Sequence, residues 1–369
     1  MQNKNECTIT SKQLIFIMIG AMLGSGILSL PRLAAKDAGQ DAWLAVILGS
    51  LFPLISLSLV RALYKNNSAG SYVDICKRIC GKYVGNFLSL LLASYSVVTA
   101  AVLLRIFIEV VSMFLLRQTP VPVKLMLMLS VCAYLASQNP QVLGRVNEFL
   151  FYILLPLLFF SLPAIVKNSD WLNLMPVFNH RPADYFRASL TTGLAFSGFE
   201  LYIVFHPYVS REQEAFRASL YGLLVTLAIY LYFVIGALMV FGNELIQKIT
   251  WPTLRMLATT EIPVIERLEF MFIQAWIGVS FRPISNQYFC ASHIITEVFN
   301  LKAQKKGTMI LFPVITAIAF YPSDIFQVFK ISDYVGYSAL IIGIGLPLLL
   351  VIIGMLSRVM GGDKSEAEK

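Results

Sequence analysis

The sequence predicts an all-α polytopic membrane protein with ten transmembrane helices in a 5+5 inverted repeat, with helices 1 and 6 broken. Three observations predict this fold class. The 369 residues are 57% hydrophobic and 14% charged, which is too apolar for an ordinary soluble domain. Apolar runs long enough to cross a bilayer recur along the whole chain. Two of these runs, in corresponding places of the two halves, are interrupted by glycine, which is typical of inverted-repeat transporters.

The ten predicted spans follow one another without an attached soluble domain. They are Gln13–Leu33, Ala42–Leu63, Val84–Leu115, Val123–Ser137, Asn147–Val166, Tyr185–Phe205, Ala215–Phe241, Ile265–Val298, Met309–Tyr321 and Tyr334–Leu356. The helix of the first span is expected to end by Pro31, since proline interrupts a helix. Residues 1–369 thus form one membrane domain, with a first repeat over 12–167 and a second over 184–357.

The segments between the spans suggest the orientation. Residues 71–82 predict an amphipathic helix at the membrane interface, with an ordinary solvated loop as the alternative. The loop 242–263 is expected to carry a short helix. Lys and Arg are more numerous in the segments on the same side as the N-terminus. Because basic residues favour the cytoplasmic side, both termini are predicted to lie inside.

The first break is Gly24-Ser25-Gly26. Each interior glycine costs a helix about 1 kcal/mol, and backbone groups freed in a bilayer need protein or ligand partners. Amides at the start of a half-helix suit a carboxylate. The alternative is close helix packing, since Gly20-x-x-x-Gly24 is a small-xxx-small motif. Packing explains two glycines but not the consecutive Gly24-Ser25-Gly26, which favours a ligand site.

The second break is Gly193-Leu194-Ala195-Phe196-Ser197-Gly198-Phe199-Glu200. A carboxylate at this depth costs about 2.5–3.5 kcal/mol on insertion scales, so Glu200 needs a partner. The candidates are a ligand ammonium, Arg105, Arg282 or free backbone amides. A structural role in holding the broken helix and a direct ligand contact are both open.

Polar side chains in spans three and eight are further candidates. Arg105 and Glu109 are spaced to form an i, i+4 ion pair. Tyr95 and Thr99 share one stripe of span three and could face a cavity, although packing is the alternative for a tyrosine. Arg282 lies beside Pro283 in an unusually polar part of span eight that continues to Tyr288. This part is interpreted as lining a cavity.

Several functional classes are not supported by the sequence. The three histidines, His180, His206 and His293, do not form a His-Glu-x-x-His motif, and the chain lacks Gly-x-Ser-x-Gly and P-loop motifs. We therefore expect no enzyme, no cofactor and no nucleic-acid partner. The scattered cysteines imply no disulfide framework, and a metal shared by Cys76 and Cys80 remains a minor alternative. So does a signal peptide at the N-terminus, which would remove the first break.

The two breaks also carry a resemblance. Gly24-Ser25-Gly26-Ile27-Leu28 resembles the first-helix motif of the amino acid–polyamine–organocation transporters, which have the LeuT-type fold. Phe196-Ser197-Gly198-Phe199-Glu200 resembles their sixth-helix motif. Over residues 8–357 the chain looks like the spore germination permease family, the B subunits of germinant receptors. The supporting runs are Arg145-Val146-Asn147-Glu148 ahead of Pro156, Leu174-Met175-Pro176-Val177, and Glu266-Arg267-Leu268-Glu269 ahead of Trp276.

The resemblance implies a receptor subunit in the spore inner membrane. It would bind a small germinant, commonly an amino acid, and act with a membrane A subunit and a lipoprotein C subunit. Arg282 with Pro283 is bulkier than expected at that position of the family. The ligand-binding residues expected from the motifs and their neighbours are Gly24, Ser25, Gly26, Ile27, Tyr95, Thr99, Ser197, Gly198, Phe199, Glu200, Arg282 and Tyr288. The alternatives are a proton-coupled amino acid or amine transporter and a structural or channel-forming subunit with a vestigial pocket.

Overall fold

The computed structural model describes residues 8–67, 70–258 and 268–366, and the described chain is a bundle of α-helices. Its helices are α1 (Ser11–Met22), α2 (Gly26–Ala38), α3 (Ala42–Gly49), α4 (Leu51–Asn66), α5 (Tyr72–Phe114), α6 (Val121–Ala136), α7 (Pro140–Asn168), α8 (Pro182–Ala195), α9 (Tyr202–Phe205), α10 (Glu212–Ile246), α11 (Pro252–Ala258), α12 (Leu268–Val298), α13 (Gln304–Phe320), α14 (Ile325–Leu340) and α15 (Leu346–Glu366).

Helices occupy the predicted spans. By length and apolar composition, four described helical stretches can cross a membrane on their own, namely Gly26–Lys65, Tyr72–Phe114, Gln213–Ile246 and Ile325–Leu356. Two bent helix pairs, one in α7 and one at α8 and α9, raise this number to six. Ten crossings and the repeat boundaries therefore stay predictions. The predicted start of the eighth span at Ile265, and Glu266 and Arg267 of the family motif, lie outside the described residues.

The first span is interrupted where the glycines predict it. α1 ends at Met22, Leu23 has an extended ψ of 94°, and α2 begins at Gly26. The prediction that this helix ends by Pro31 is wrong, because α2 continues to Ala38. Proline cannot donate to the carbonyl four residues earlier, which is that of Ile27. The buried Thr253 hydroxyl of α11 donates to this carbonyl instead, at 2.7 Å, and so allows the helix to continue.

The second break is also present. α8 ends at Ala195, Gly198 has a φ of +116°, and one 3₁₀ turn (Phe199–Leu201) leads into the short α9. The axis bends by 58° between the two pieces. The conformation at Gly198 is one that residues with a Cβ rarely adopt. The glycine therefore fixes the position of the bend.

Two predictions about the connecting segments can be compared with the structure. Residues 72–80 are helical, as the amphipathic alternative requires, and the chain turns at Gly81 (φ +80°) before the long part of α5 begins. Whether this segment lies at a membrane interface stays a prediction. The short helix expected in the loop 242–263 is α11.

Helices from both halves pack around the two breaks. α12 lies against α5, α7 and α1, while α2 lies against α8 and α10. One continuous apolar core includes buried residues from α1, α5, α10 and α12. This packing brings the first and second breaks together at the centre of the bundle, although they are about 170 residues apart in sequence.

Candidate ligand-binding site at the two helix breaks

A cavity of about 180 Å³ lies beside the two breaks. Since one water needs roughly 10–15 Å³ by this measure, the cavity has room for a molecule of amino-acid size. Its walls come from the first break and α2, the middle of α5, the end of α8 and the middle of α14. The polar lining residues are Ser25, Ser29, Arg32, Thr99, Thr191, Ser197, Ser332 and Asp333, and most others are small or aliphatic.

Part of the predicted ligand-binding set lines this cavity. The lining members are Gly24, Ser25, Gly26, Thr99 and Ser197. The other predicted residues are buried and do not line the cavity; these are Ile27, Tyr95, Gly198, Phe199, Glu200, Arg282 and Tyr288. The first break is thus in direct contact with the cavity, whereas most of the second break supports it.

Glu200 is held by protein donors. Its Oε1 accepts from Gln287 Nε2 at 2.7 Å and from the Tyr95 hydroxyl at 3.1 Å, and its Oε2 accepts from the Gly198 amide at 2.8 Å. The side chain is 2% exposed. Of the partners for Glu200 that the sequence suggested, the one found in the structure is a backbone amide of the break, that of Gly198. Gln287, which sequence reasoning missed, lies on the same polar stretch of α12 as Arg282.

Tyr95 connects this carboxylate to the cavity. Its hydroxyl lies 2.9 Å from Ser197 Oγ, and Ser197 lines the cavity. Thr99, one turn further along α5, also lines it. A ligand that engages Ser197 would therefore act on a chain of hydrogen bonds that ends at Glu200.

Gly198 allows the two breaks to touch. A Cβ at this position would overlap the backbone carbonyl of Ala21, on the last turn of α1. Close approach and the positive φ therefore both require glycine here. On the other side, the ring of Phe199 packs against Gly343, in a π-helical turn between α14 and α15.

Tyr230 of α10 bridges the two breaks from outside the cavity. Its hydroxyl lies 2.7 Å from the Met22 carbonyl and 2.9 Å from the Ala195 carbonyl, at the ends of α1 and α8. A hydroxyl has a single proton, so the two carbonyls share one donor. The ring is fully buried. The sequence shows Tyr230 as one of several aromatic residues in an apolar run and does not distinguish it.

Arg282 has a structural role next to Pro283. Pro283 lines the cavity and cannot donate to the Val279 carbonyl, and the Arg282 Nε lies 3.3 Å from that oxygen. Arg282 itself is fully buried, and its two terminal nitrogens have no hydrogen-bond partner in the part of the chain that is described. The interpretation of this segment as cavity-lining thus holds for Pro283.

Two other candidates take part in protein contacts. Arg105 and Glu109 form the predicted i, i+4 ion pair, at 2.8 Å. The Tyr288 hydroxyl donates to the Thr308 carbonyl of α13 at 2.7 Å.

Arg32 and Asp333 line the cavity and were missed in the sequence. The available signal was helix periodicity, because Ser25, Ser29 and Arg32 follow one another at i, i+4 and i+7 and so lie on one face of α2. Asp333 of α14 gave no comparable signal, since α14 has no break to indicate which face is functional.

The opposite end of α1 is tied down. The Ile9 amide donates to the Tyr208 carbonyl at 2.7 Å, and Ser11 Oγ donates to Glu214 Oε2 at 2.6 Å. Lys12 forms an ion pair with Glu148 at 2.6 Å. These contacts join the start of α1 and the residue before its cap to the segment after α9, to α10 and to α7.

Comparisons with known proteins agree with this geometry. A family model described as "Spore germination protein" matches residues 8–328. Spore germination protein B2 of Bacillus subtilis (strain 168) is 26% identical over 366 residues, which cover 97% of this chain and 98% of the relative. Spore germination protein YndE of the same strain is 29% identical over 358 residues, covering 94% and 96%.

A solved structure supports the fold independently of sequence. A Na⁺-coupled sialic acid symporter in a substrate-bound outward-open state superposes with a TM-score of 0.68 and 11% identity, over 94% of this chain and 80% of that one. The likeness confirms the predicted class, a multi-pass helical membrane protein with a transporter-type fold.

Proposed function

Because this chain belongs to the spore germination permease family, we propose that it is the germinant-binding membrane subunit of a spore germination receptor. In this proposal it lies in the spore inner membrane with both termini inside. It passes the signal to a larger membrane A subunit and a lipoprotein C subunit. The observation that carries the proposal is the amino-acid-sized cavity at the first break, with Gly24, Ser25 and Gly26 in its wall.

The chemistry of the break favours a carboxylate. The Gly26 and Ile27 amides at the start of α2 have no carbonyl four residues earlier within the helix, and they lie at the positive end of its dipole. The next amide, that of Leu28, already donates to the Ser25 carbonyl at 3.1 Å. Ser25 and Ser197 add hydroxyls to the same cavity. A small amino acid would direct its carboxylate to these donors. Glu200 would support the break, since its oxygens accept hydrogen bonds from Gln287, Tyr95 and Gly198.

Binding would be communicated through the contact between the two breaks. Tyr230 and Gly198 join the end of α1 to the second break, so movement of one broken helix is coupled to the other. A ligand shifts such an equilibrium only if it binds one arrangement better than the other. The cavity is formed in the arrangement described here, so a germinant would stabilise this arrangement and present it to the partner subunits.

The test is the germination response of spores that carry Gly26→Leu. A Cβ at Gly26 would lie 3.2 Å from the Tyr230 hydroxyl and 3.5 Å from the Ala195 carbonyl, so leucine would intrude on the cavity and on this bridge. Gly345→Leu is the matched control, because a Cβ there meets nothing within 4 Å. We expect loss of the amino-acid response for Gly26→Leu and a normal response for the control, with both proteins present in the membrane. Normal germination of Gly26→Leu spores contradicts the site.

The alternative, a coupled secondary transporter, is favoured by the fold shared with a Na⁺-coupled symporter. Proteoliposomes that contain this protein alone distinguish the two functions. Saturable binding of labelled amino acids without accumulation supports the receptor. Accumulation driven by a proton gradient supports the transporter and contradicts the receptor proposal. If neither binding nor accumulation occurs, but receptors assembled with the A and C subunits bind amino acids, the pocket depends on its partners.

A further inference from the structure

Two opposite charges face the same cavity. Arg32 is on α2, beyond the first break, and Asp333 is on α14. Apart from this pair, the lining is neutral, with Leu30, Leu33 and Val102 among its apolar members. Arg32 is half-buried and Asp333 is exposed, so both charges can meet a molecule that enters the cavity. They are the two charged groups with which this otherwise neutral cavity could recognise a ligand.

Arg32 lines the same cavity as the first break. Side chains on a helix lean toward its N-terminus, which in α2 is Gly26. At a rise of 1.5 Å per residue, the Cα of Arg32 lies about 9 Å along the helix from that of Gly26, within the combined reach of a guanidinium and a bound carboxylate. The buried Nε of Arg32 has no hydrogen-bond partner among the described residues. Because this nitrogen is shielded from solvent, the terminal nitrogens of the guanidinium are the ones that a ligand in the cavity would meet.

Asp333 supplies the opposite charge without neutralising Arg32. Asp333 lies within Coulombic range of both Arg32 and Lys36. Within the described part of the chain, however, Arg32 and Asp333 do not form an ion pair with a nitrogen–oxygen distance of 4.0 Å or less. The two charges are therefore not paired with each other, and both line the cavity.

Glu200 is the other carboxylate near the breaks, and it is in a different situation. It does not line the cavity, and its two oxygens already accept three hydrogen bonds. A ligand ammonium could reach it only by displacing Tyr95 or Gln287. Asp333 lines the cavity and requires no such displacement.

We infer that Arg32 and Asp333 select a zwitterion. The Arg32 guanidinium binds the carboxylate together with the first amides of α2, and Asp333 binds the ammonium. The aliphatic wall contacts an apolar side chain. This inference rests on the proposed function, which it deepens by naming the ammonium partner and the class of ligand, a small apolar amino acid.

The test measures equilibrium binding to the full-length protein in lipid nanodiscs with three probes. L-Leucine carries both charges, L-leucinamide lacks the carboxylate and 4-methylpentanoate lacks the ammonium. The variants are Arg32→Gln and Asp333→Asn, and the controls are Arg255→Gln, at an exposed position of α11, and Asp37→Asn on α2; neither control residue lines the cavity. Arg32→Lys and Asp333→Glu test whether restoring the charge restores binding, and thermal unfolding verifies that every variant is folded.

The expected pattern is selective. A hydrogen bond to a charged group contributes about 1.5–3 kcal/mol, which corresponds to roughly a ten- to hundredfold change in affinity. Asp333→Asn should weaken L-leucine and L-leucinamide by this factor and leave 4-methylpentanoate within about twofold. Arg32→Gln should weaken L-leucine and 4-methylpentanoate but spare L-leucinamide. The two control variants should bind all three probes like the unchanged protein.

Other outcomes overturn the inference in distinguishable ways. If Arg32→Gln and Asp333→Asn weaken all three probes equally and the exchange of the two charges restores binding, the side chains pair with each other and do not read the ligand. If L-leucine binds and neither variant changes its affinity, the inference fails while the proposed function stands. If none of the twenty standard amino acids binds, alone or with the partner subunits, both fail.

Discussion

Removal of the Tyr230 hydroxyl should weaken the response to a germinant more than the accompanying loss of protein stability explains. In Tyr230→Phe the carbonyls of Met22 and Ala195 lose their shared donor, and the ring still fills its buried position. Side-chain hydrogen bonds within membrane proteins average about 0.6 kcal/mol and reach about 1.7 kcal/mol. If the bridge exists only in the arrangement with the formed cavity, this loss lowers the relative population of that arrangement by roughly three- to twentyfold.

The concentration of germinant that gives a half-maximal response should rise by the same factor. The matched control is Tyr232→Phe, which removes a hydroxyl that is 2.7 Å from Ser161 Oγ and 3.0 Å from the Leu158 carbonyl, away from both breaks. Unfolding in mixed micelles should show comparable losses of stability for both variants. Germination measured against ligand concentration should shift for Tyr230→Phe alone. Equal shifts in the two variants, or none in Tyr230→Phe, would refute the coupling of the breaks through Tyr230.

Gly198→Ala should strongly destabilise the protein, because the new Cβ would overlap the Ala21 carbonyl of α1 and because Gly198 has a positive φ. The amount of folded protein in membranes should fall well below that of the control Gly345→Ala. Thr253→Val should lower the free energy of unfolding by about 1 kcal/mol. The reason is that the Ile27 carbonyl, to which Pro31 cannot donate, then loses the Thr253 hydroxyl as its donor. Thr253→Ser keeps a hydroxyl and should retain the stability. The buried Asp41 accepts from the Tyr185 hydroxyl at 2.6 Å and from two amides of the loop before α8. Asp41→Ala should therefore speed limited proteolysis of this loop, whereas unchanged cleavage would argue against its role as an anchor.

The sequence was informative where local chemistry dominates. Apolar run lengths determined the helical class, and closely spaced glycines indicated both breaks, because each interior glycine weakens a helix by about 1 kcal/mol. The structure agrees at Gly198, whose φ of +116° interrupts the helix. The i, i+4 spacing likewise gave the Arg105–Glu109 pair. The helix continues past Pro31, against the prediction, because of a tertiary contact. The effect of Pro31 depends on the Ile27 carbonyl, and the donor that satisfies this carbonyl comes from Thr253, more than 200 residues away in sequence.

The composition of the site depends on the packing of distant helices. From sequence, Glu200 could meet a ligand or hold the break, and the fold decides its contacts by bringing Tyr95 and Gln287 to the same carboxylate. The cavity wall includes Asp333, which no motif marks. The sequence by itself therefore determined the helical class and the places where two helices break, because these follow from local backbone energetics and apolar length. Only the tertiary structure decided which side chains face the cavity and which support its wall, because this depends on which faces of non-adjacent helices meet.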